Sequence, residues 1–157
     1  MSRKLDDLDP RLKPLVFELL ARSVEAGIPV MIIDTLRTPE EHAANLAKGV
    51  SWIKVSKHLP QPDCSNGGKA YYNCKLYEHD ENHPPACIYK GGCKLKGKSC
   101  AIDICPYSVF MIDGPDKLQW DSSAPQWQII GTIGEGLGLR WGGRWVKKDM
   151  GHFELAE

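Results

Sequence analysis

The apolar residues of the first part of the chain recur at helical spacing and predict a helix over residues 8–26. The positions that define its apolar face are Leu12, Leu15, Val16, Leu19 and Leu20. Asp9-Pro10 supplies a capping residue followed by proline at the start, and Gly27 follows the last periodic position.

A short, continuous apolar run and a helix start signal come next. Val30–Ile33 has the length and composition of a buried strand. Thr38, Pro39 and Glu41 form a capping-box pattern, which predicts a second helix running to about Lys48.

The C-terminal part predicts one more helix and three short strands. Residues 99–104 read as a strand and residues 125–137 as a helix. Residues 139–146 and 152–155 then predict two strands joined by a turn. Helices and strands are mixed without a regular βαβ alternation, so the predicted fold class is α+β.

Residues 59–98 differ from the rest of the chain, because they hold few aliphatic residues and no sustained period. We interpret them as an insertion. The six cysteines all lie in or just after it: Cys64, Cys74, Cys87, Cys93, Cys100 and Cys105. Their spacing contains no C-x2-C knuckle, so a disulfide framework, a structural metal site that includes His79 and His83, and free thiols all stay open.

Composition narrows the class of protein. The 157 residues are 42% hydrophobic and 25% charged, which fits a single domain over residues 1–157. Twenty basic and twenty acidic residues give a net charge of zero, so no nucleic-acid partner is expected. The apolar runs are too short for stable membrane insertion. The charged N-terminus lacks the apolar core of a signal peptide, which predicts synthesis in the cytoplasm.

Three segments carry residues suited to metal chemistry: Ser56–His58, Gly97–Asp103, and Trp141–Trp145 followed by Asp149–Glu154. Two histidines and one carboxylate are a standard protein ligand set for catalytic zinc. Taken one at a time, each residue has an ordinary structural interpretation; His42, for example, is expected at the surface of the second helix.

Taken in order, these segments resemble the M15 zinc peptidases. The resemblance lies in Ser-x-His, Ala-x-Asp, Trp-Gly-Gly-x-Trp and Asp-x-x-His-Phe-Glu, together with Leu36–Glu41. It is nearest to the L-alanyl-D-glutamate peptidases of phage endolysins and bacterial cell-wall hydrolases. It implies a small antiparallel sheet packed with helices, as in D-Ala-D-Ala peptidases and the hedgehog signalling domain. The chain departs from the family pattern where the insertion separates His58 from Asp103.

The resemblance also implies a role for each site residue. Zn²⁺ would be bound by His58, Asp103 and His152, with Asp149 as catalytic base and Arg37 stabilising the oxyanion. Ser56 would contact substrate or orient the site, and Glu154 would hold an imidazole from behind or simply be solvated.

The implied function is cleavage of the L-Ala–D-Glu bond in peptidoglycan stem peptides by a monomeric phage or prophage endolysin. Such an enzyme would reach the cell wall after holin-type release. Two alternatives are a D,D-carboxypeptidase or dipeptidase on the same fold and a non-catalytic zinc-containing binding domain. A third is that the Cys-rich insertion is the functional element and binds the cell wall, an inhibitor or a partner. Asp149 favours the endopeptidase, since the carboxypeptidase relatives often carry glutamate at the position of the base.

Overall fold

The computed structural model describes residues 1–53, 56–59 and 98–156, and this part of the chain has an α+β fold. Its elements are α1 (Leu12–Glu25), β1 (Val30–Asp34), α2 (Pro39–Ala47), β2 (Ala101–Pro106), α3 (Pro125–Gly136), β3 (Leu139–Trp141) and β4 (His152–Leu155). The strands form an antiparallel sheet in the order β1-β2-β4-β3. The predicted fold class, a small antiparallel sheet packed with helices, is confirmed.

The core lies where α1 and α3 pack against each other and α3 packs on β3. The largest fully buried side chains include Trp127 and Ile130 of α3, Phe153 of β4, and Leu12 of α1. Helix α3 approaches the sheet through glycines. A Cβ at Gly131 would overlap the Trp141 ring, and one at Gly134 would overlap Phe153. The missing side chains therefore let the aromatic rings of the sheet contact the helix backbone.

Both predicted N-terminal helices are present, but the start of the first one is corrected. Helix α1 starts at Leu12 rather than near residue 8, because Asp9 organises a turn ahead of it. The Asp9 carboxylate accepts hydrogen bonds from the backbone N–H and the guanidinium of Arg11. Helix α2 has the predicted capping box, in which Thr38 and Glu41 each bind the other's backbone N–H.

The strand predicted over residues 139–146 is shorter in the structure and ends at Trp141. A turn at Gly142–Arg144 follows, and the Asp149 N–H closes the segment by donating to the Gly142 carbonyl at 3.0 Å. A Cβ at Gly142 would lie 2.5 Å from the Asp149 carbonyl oxygen, so this approach requires glycine. The interpretation of Trp145 as a strand residue is therefore wrong.

The two ends of the insertion are held together. The Lys57 carbonyl, one residue before His58, accepts a hydrogen bond from the Cys100 N–H at 2.9 Å. Ser99 is also paired with the N-terminal segment, through bonds to Asp7 and Asp9 of 2.8 Å each. A long loop costs little when its ends already lie side by side, because closure entropy grows slowly with length.

The choice between disulfides, a structural metal site and free thiols depends mostly on residues that lie outside the described part of the chain. These are Cys64, Cys74, Cys87, Cys93, His79 and His83. Cys105 on β2 and Cys100, directly before that strand, are both buried. The Cys105 thiol donates to the Gln119 carbonyl at 3.3 Å, and burial raises its pKa to about 12. Cys105 therefore carries a protonated thiol at neutral pH and is unsuited to bind metal or act as a nucleophile.

None of the helices in the described part of the chain combines the length and the apolar character needed to cross a bilayer.

We expect Gly134→Ala to destabilise the fold by ~1–3 kcal/mol, because the new methyl group would displace the buried ring of Phe153. Gly136→Ala in the same helix is the matched control. Its Cβ would meet nothing within 4 Å, so it should be neutral or stabilise by up to ~1 kcal/mol. Urea unfolding monitored by circular dichroism measures both, and equal effects would contradict the close packing of α3.

Candidate metal centre

Three neighbouring strands place acidic and imidazole side chains in one row across the sheet. Asp103 on β2 is the direct cross-strand partner of His152 on β4 and of Asp34 on β1. Between Ile32 and Asp34 the pairing of β1 with β2 contains a β-bulge. The fourth member of the site, His58, reaches this row from the turn that precedes the insertion.

The three predicted ligands converge on one point. His58 Nε2 lies 3.0 Å from Asp103 Oδ1 and 3.2 Å from His152 Nδ1, and His152 Nδ1 lies 3.0 Å from the same Asp103 oxygen. Among the described residues, these side chains form the group that could hold a metal ion. Both histidines are buried, while Asp103 is partly exposed.

Hydrogen bonds on the far side of each imidazole fix which ring nitrogen faces this point. His58 Nδ1 lies 2.9 Å from the Thr35 carbonyl oxygen, which can only accept. The proton is therefore on Nδ1, and the lone pair of Nε2 faces Asp103. His152 Nε2 donates to Glu154 Oε2 at 2.9 Å, which leaves the lone pair of Nδ1 facing the same point. Partners of this kind orient histidines that bind metals.

The fit of this group to zinc follows from its size and its donors. Ligand atoms of a tetrahedral zinc site lie about 3.3–3.4 Å apart, given bond lengths of about 2.0–2.1 Å. The three atoms observed here are within a few tenths of an ångström of that separation. Two imidazole nitrogens and one carboxylate oxygen also leave a fourth position open. The residues therefore fit a catalytic zinc ion.

The pKa shifts of His152 and Asp103 show which charges the site favours. Burial alone would lower the pKa of His152, but hydrogen bonds to Asp103 and Glu154 outweigh it and raise that pKa to about 9. Burial would raise the pKa of Asp103, yet the nearby His58 and His152 hold it well below its usual range. The site thus stabilises positive charge between its carboxylates, which suits a cation.

Glu154 connects this centre to two basic side chains. Its Oε1 lies 3.4 Å from Lys57 Nζ and 3.2 Å from Arg140 Nη1, while Oε2 binds His152. Burial would raise the Glu154 pKa, but His152, Lys57 and Arg140 together lower it. Glu154 is therefore ionised and buried behind an imidazole, which excludes the alternative that it is simply solvated.

Ser56 acts on the turn that carries His58. Its hydroxyl oxygen accepts a hydrogen bond from the His58 N–H at 3.2 Å, and its carbonyl accepts one from the Leu59 N–H. The turn is further tied to the start of α2, because the Arg37 N–H donates to the His58 carbonyl at 2.9 Å. Ser56 thus holds the backbone at one ligand.

Arg37 is buried and held by Asp34. Its Nε and Nη2 both donate to Asp34 Oδ2, at 2.9 and 2.7 Å. Nη2 also lies 3.6 Å from Asp103 Oδ2, the carboxylate oxygen that faces away from the imidazoles. The guanidinium therefore lies between two carboxylates of the row.

Asp149 lines the same cleft as Arg37 and Asp103. Burial raises its pKa above the usual range, and the negative charge of Asp103 raises it further. The backbone N–H of His152 donates to the backbone carbonyl of Asp149 at 3.3 Å, which forms a tight turn between the two residues. A raised pKa in a cleft beside a metal site is typical of a residue that exchanges protons.

Two cavities flank the metal centre and share Trp52 and Ile53 as a common wall. One, of about 370 Å³, contains Arg37, Asp103, Lys148 and Asp149. The other, of about 540 Å³, contains His152, Trp145 and Lys147, whose ammonium group lies 4.2 Å from the centre of the Trp52 ring. The candidate metal centre therefore lies between two open cavities.

Sequence reasoning missed two residues at this site and misjudged a third. Asp34 and Thr35 were not predicted, although a carboxylate directly after an apolar strand is a signal that could have singled out Asp34. Thr35 acts through its backbone carbonyl, which no side-chain pattern reveals. His42 is buried rather than exposed, because it lies on the face of α2 that packs inward.

Comparisons with known proteins agree with this geometry. Residues 98–155 match a peptidase family described as D-alanyl-D-alanine carboxypeptidase. The fold is similar to the crystal structure of the Serratia marcescens L-Ala D-Glu endopeptidase ChiX, with a TM-score of 0.59 and 16% identity. That similarity covers 97% of this chain and 83% of the other. No curated protein sequence matches the chain.

The raised pKa of His152 predicts a pH-dependent stability in the metal-free protein. A folded-state pKa of about 9 against an ordinary value of 6.5 stabilises the fold fully below pH 6.5, and this stabilisation is lost as the pH rises through 9. We expect the free energy of unfolding to fall by ~2–3 kcal/mol between pH 6 and about 9.5. Urea titrations in the presence of a chelator measure the free energy of unfolding at each pH. His152→Gln is the control, and its free energy of unfolding should depend much less on pH. An unchanged slope in this variant would refute the assignment.

Proposed function

We propose that this chain, whose resemblance to the M15 peptidases is confirmed by the family match and by the fold, is a zinc-dependent peptidoglycan endopeptidase. The bond that we assign to it joins L-Ala and D-Glu in the stem peptide. The observation that carries the proposal is the convergence of His58, Asp103 and His152 within 3.0–3.2 Å of one another, in a cleft that Asp149 also lines.

Each polar group of the site has a part in this reaction. Zinc, when bound, supplies a Lewis acid that activates water and polarises a carbonyl group. Asp149 takes the proton of the attacking water and passes it to the leaving amine, a task for which a raised pKa is suited. Arg37 keeps its guanidinium at the wall of the cleft, where it stabilises the negative charge that develops on the scissile carbonyl.

One basic side chain of the cleft, Lys148, supports an acidic peptide as the substrate, because Arg37, Asp103 and Asp149 already have other parts in the proposed reaction. Lys148 and Arg37 both line the cavity of about 370 Å³, and Lys148 forms no ion pair within the described residues. The stem peptide carries carboxylates next to the proposed scissile bond. Lys148 binds one of these carboxylates, while Trp52 and Ile53 contact the apolar parts of the peptide substrate.

We further propose a monomeric phage or prophage endolysin that is made in the cytoplasm and acts on the cell wall after holin-type release. The structural neighbour, an L-Ala D-Glu endopeptidase, supports the action on the cell wall. The family description favours a second candidate, a D-alanyl-D-alanine carboxypeptidase, because it names that activity. The two candidates differ in the products that they release.

Products and metal content of the wild type and Asp149→Asn test the proposal. With isolated peptidoglycan, wild type should release fragments with new L-Ala C-termini and D-Glu N-termini, identified by mass spectrometry. We expect Asp149→Asn to lower kcat by about 10²- to 10⁴-fold, because the proton acceptor is lost, and to keep about one zinc per chain. Asp113→Asn, in an exposed loop, is the control that should retain full activity.

Three outcomes would contradict the proposal. Release of D-Ala would favour the carboxypeptidase. Bound zinc without any cleavage would favour the non-catalytic binding domain. Full activity of Asp149→Asn would remove Asp149 from the mechanism.

Lys148→Met should raise KM about fivefold and leave kcat within about twofold, because a charge that contacts bound substrate contributes about 1 kcal/mol to binding. Steady-state kinetics on a synthetic stem peptide measures both constants. The exposed Lys4, which lines neither of the two cavities, gives the control variant Lys4→Met. A fall in kcat at constant KM would assign Lys148 to the chemical step instead.

A further inference from the structure

We infer that Asp34 is a positioning residue of the metal centre, which acts by holding Arg37 away from the ligand Asp103. The inference rests on the proposed zinc site and adds to it a residue that the resemblance does not supply. Three observations carry it: the β-bulge in β1, the geometry of the Arg37 guanidinium, and the burial of the Asp34 carboxylate.

The β-bulge brings Asp34 to the site. Ile32 pairs with Ile104, and regular antiparallel pairing would then set Ile33 opposite Asp103 and Asp34 opposite the core residue Ile102. The extra residue instead sets Asp34 opposite Asp103. Bulges commonly re-aim side chains beside active sites. Here the bulge moves a carboxylate from the core-facing side of the strand to the face that carries the candidate ligand.

The Arg37 guanidinium is shared unequally between the two carboxylates. Its Nε and Nη2 donate to Asp34 Oδ2 at 2.9 and 2.7 Å, whereas the separation of Nη2 from Asp103 Oδ2 is 3.6 Å. Asp103 Oδ1 is left to the two imidazoles. The stronger partner, Asp34, thus keeps the arginine from forming a full ion pair with the ligand carboxylate.

The Asp34 carboxylate is 1% exposed, and its Oδ1 has no hydrogen-bond partner within the described residues. Arg37 is the cation that forms an ion pair with it. A buried charge whose main partner is a single guanidinium binds that group strongly, because the alternative is an unpaired charge away from water. The pair is therefore rigid enough to fix where Arg37 lies.

Removal of the Asp34 charge should release Arg37 towards Asp103. The guanidinium would then compete with zinc for the same carboxylate and withdraw charge from it. We expect Asp34→Asn to weaken zinc binding about five- to tenfold, and to lower kcat at saturating zinc about tenfold with KM within about twofold.

A double-mutant cycle separates this effect from a loss of negative charge near the metal. Zinc affinity is measured with a competing chromogenic chelator on the metal-free full-length chain, for wild type, Asp34→Asn, Arg37→Met and the double variant. We expect Asp34→Asn to change the zinc affinity less than twofold in the Arg37→Met background. An equal loss in both backgrounds, or no loss in either, would overturn the inference.

Asp9→Asn is the matched control, since Asp9 is also fully buried and also pairs with an arginine, Arg11, that is not part of the row of site residues. It removes the same charge and should leave zinc affinity within about twofold. A loss equal to that of Asp34→Asn would show a general effect of breaking buried ion pairs and would overturn the inference.

Folding is followed separately by the urea midpoint. The double variant should be at least as stable as Arg37→Met, because it does not leave the buried Asp34 charge unpaired. A lower urea midpoint for the double variant would contradict a strong ion pair between Asp34 and Arg37. Wild type that binds no zinc would overturn the proposed function along with this inference. Wild type that binds zinc without coupling between the two positions would overturn the inference alone.

Discussion

The register of β2 against β4 is the constraint on which the site depends. Ala101 pairs with Glu154, Ile102 with Phe153 and Asp103 with His152, so core and site residues alternate along both strands. Gly151 lets the strands approach at this point, because a Cβ there would lie 2.5 Å from the Ile104 carbonyl oxygen. A shift of one residue would send Asp103 into the core and Ile102 into the cleft. Burial of Ile102 and Phe153 therefore fixes the position of the candidate ligands.

Charge balance is the second constraint, since the centre collects more acidic groups than a buried site usually tolerates. Asp34, Asp103 and Glu154 lie close together, and each has a basic partner: Arg37 for the first two and Lys57 with Arg140 for the third. Arg37 lies between Asp34 and Asp103, and Lys57 and Arg140 contact the Glu154 oxygen that does not bind His152. This order leaves the ligand atoms as the place where a cation is best accommodated.

Sequence reasoning reached the fold class, the helices and the grouping of His58, Asp103 and His152, because these depend on local periodicity and on motifs. It failed where contacts with other parts of the fold decide the length of an element or which of its faces is buried. Strand β3 ends early because a hydrogen bond from Asp149 closes the turn at Gly142. Asp34 stands out as a carboxylate after an apolar run, but the bulge that turns it towards Asp103 cannot be read from the sequence. His42 was misjudged because tertiary packing decides which side of α2 is buried.

The bond between Lys57 and Cys100 has a consequence for how this chain could change during evolution. The Cys100 N–H donates to the Lys57 carbonyl at 2.9 Å, which holds the two ends of the insertion side by side. Residues can therefore be gained or lost between His58 and Ser99 without moving the residues on either side. The fold thus offers a tolerant acceptor position one residue from a candidate metal ligand. New segments that arise there lie next to the candidate site from the start, whereas insertions in remote loops do not.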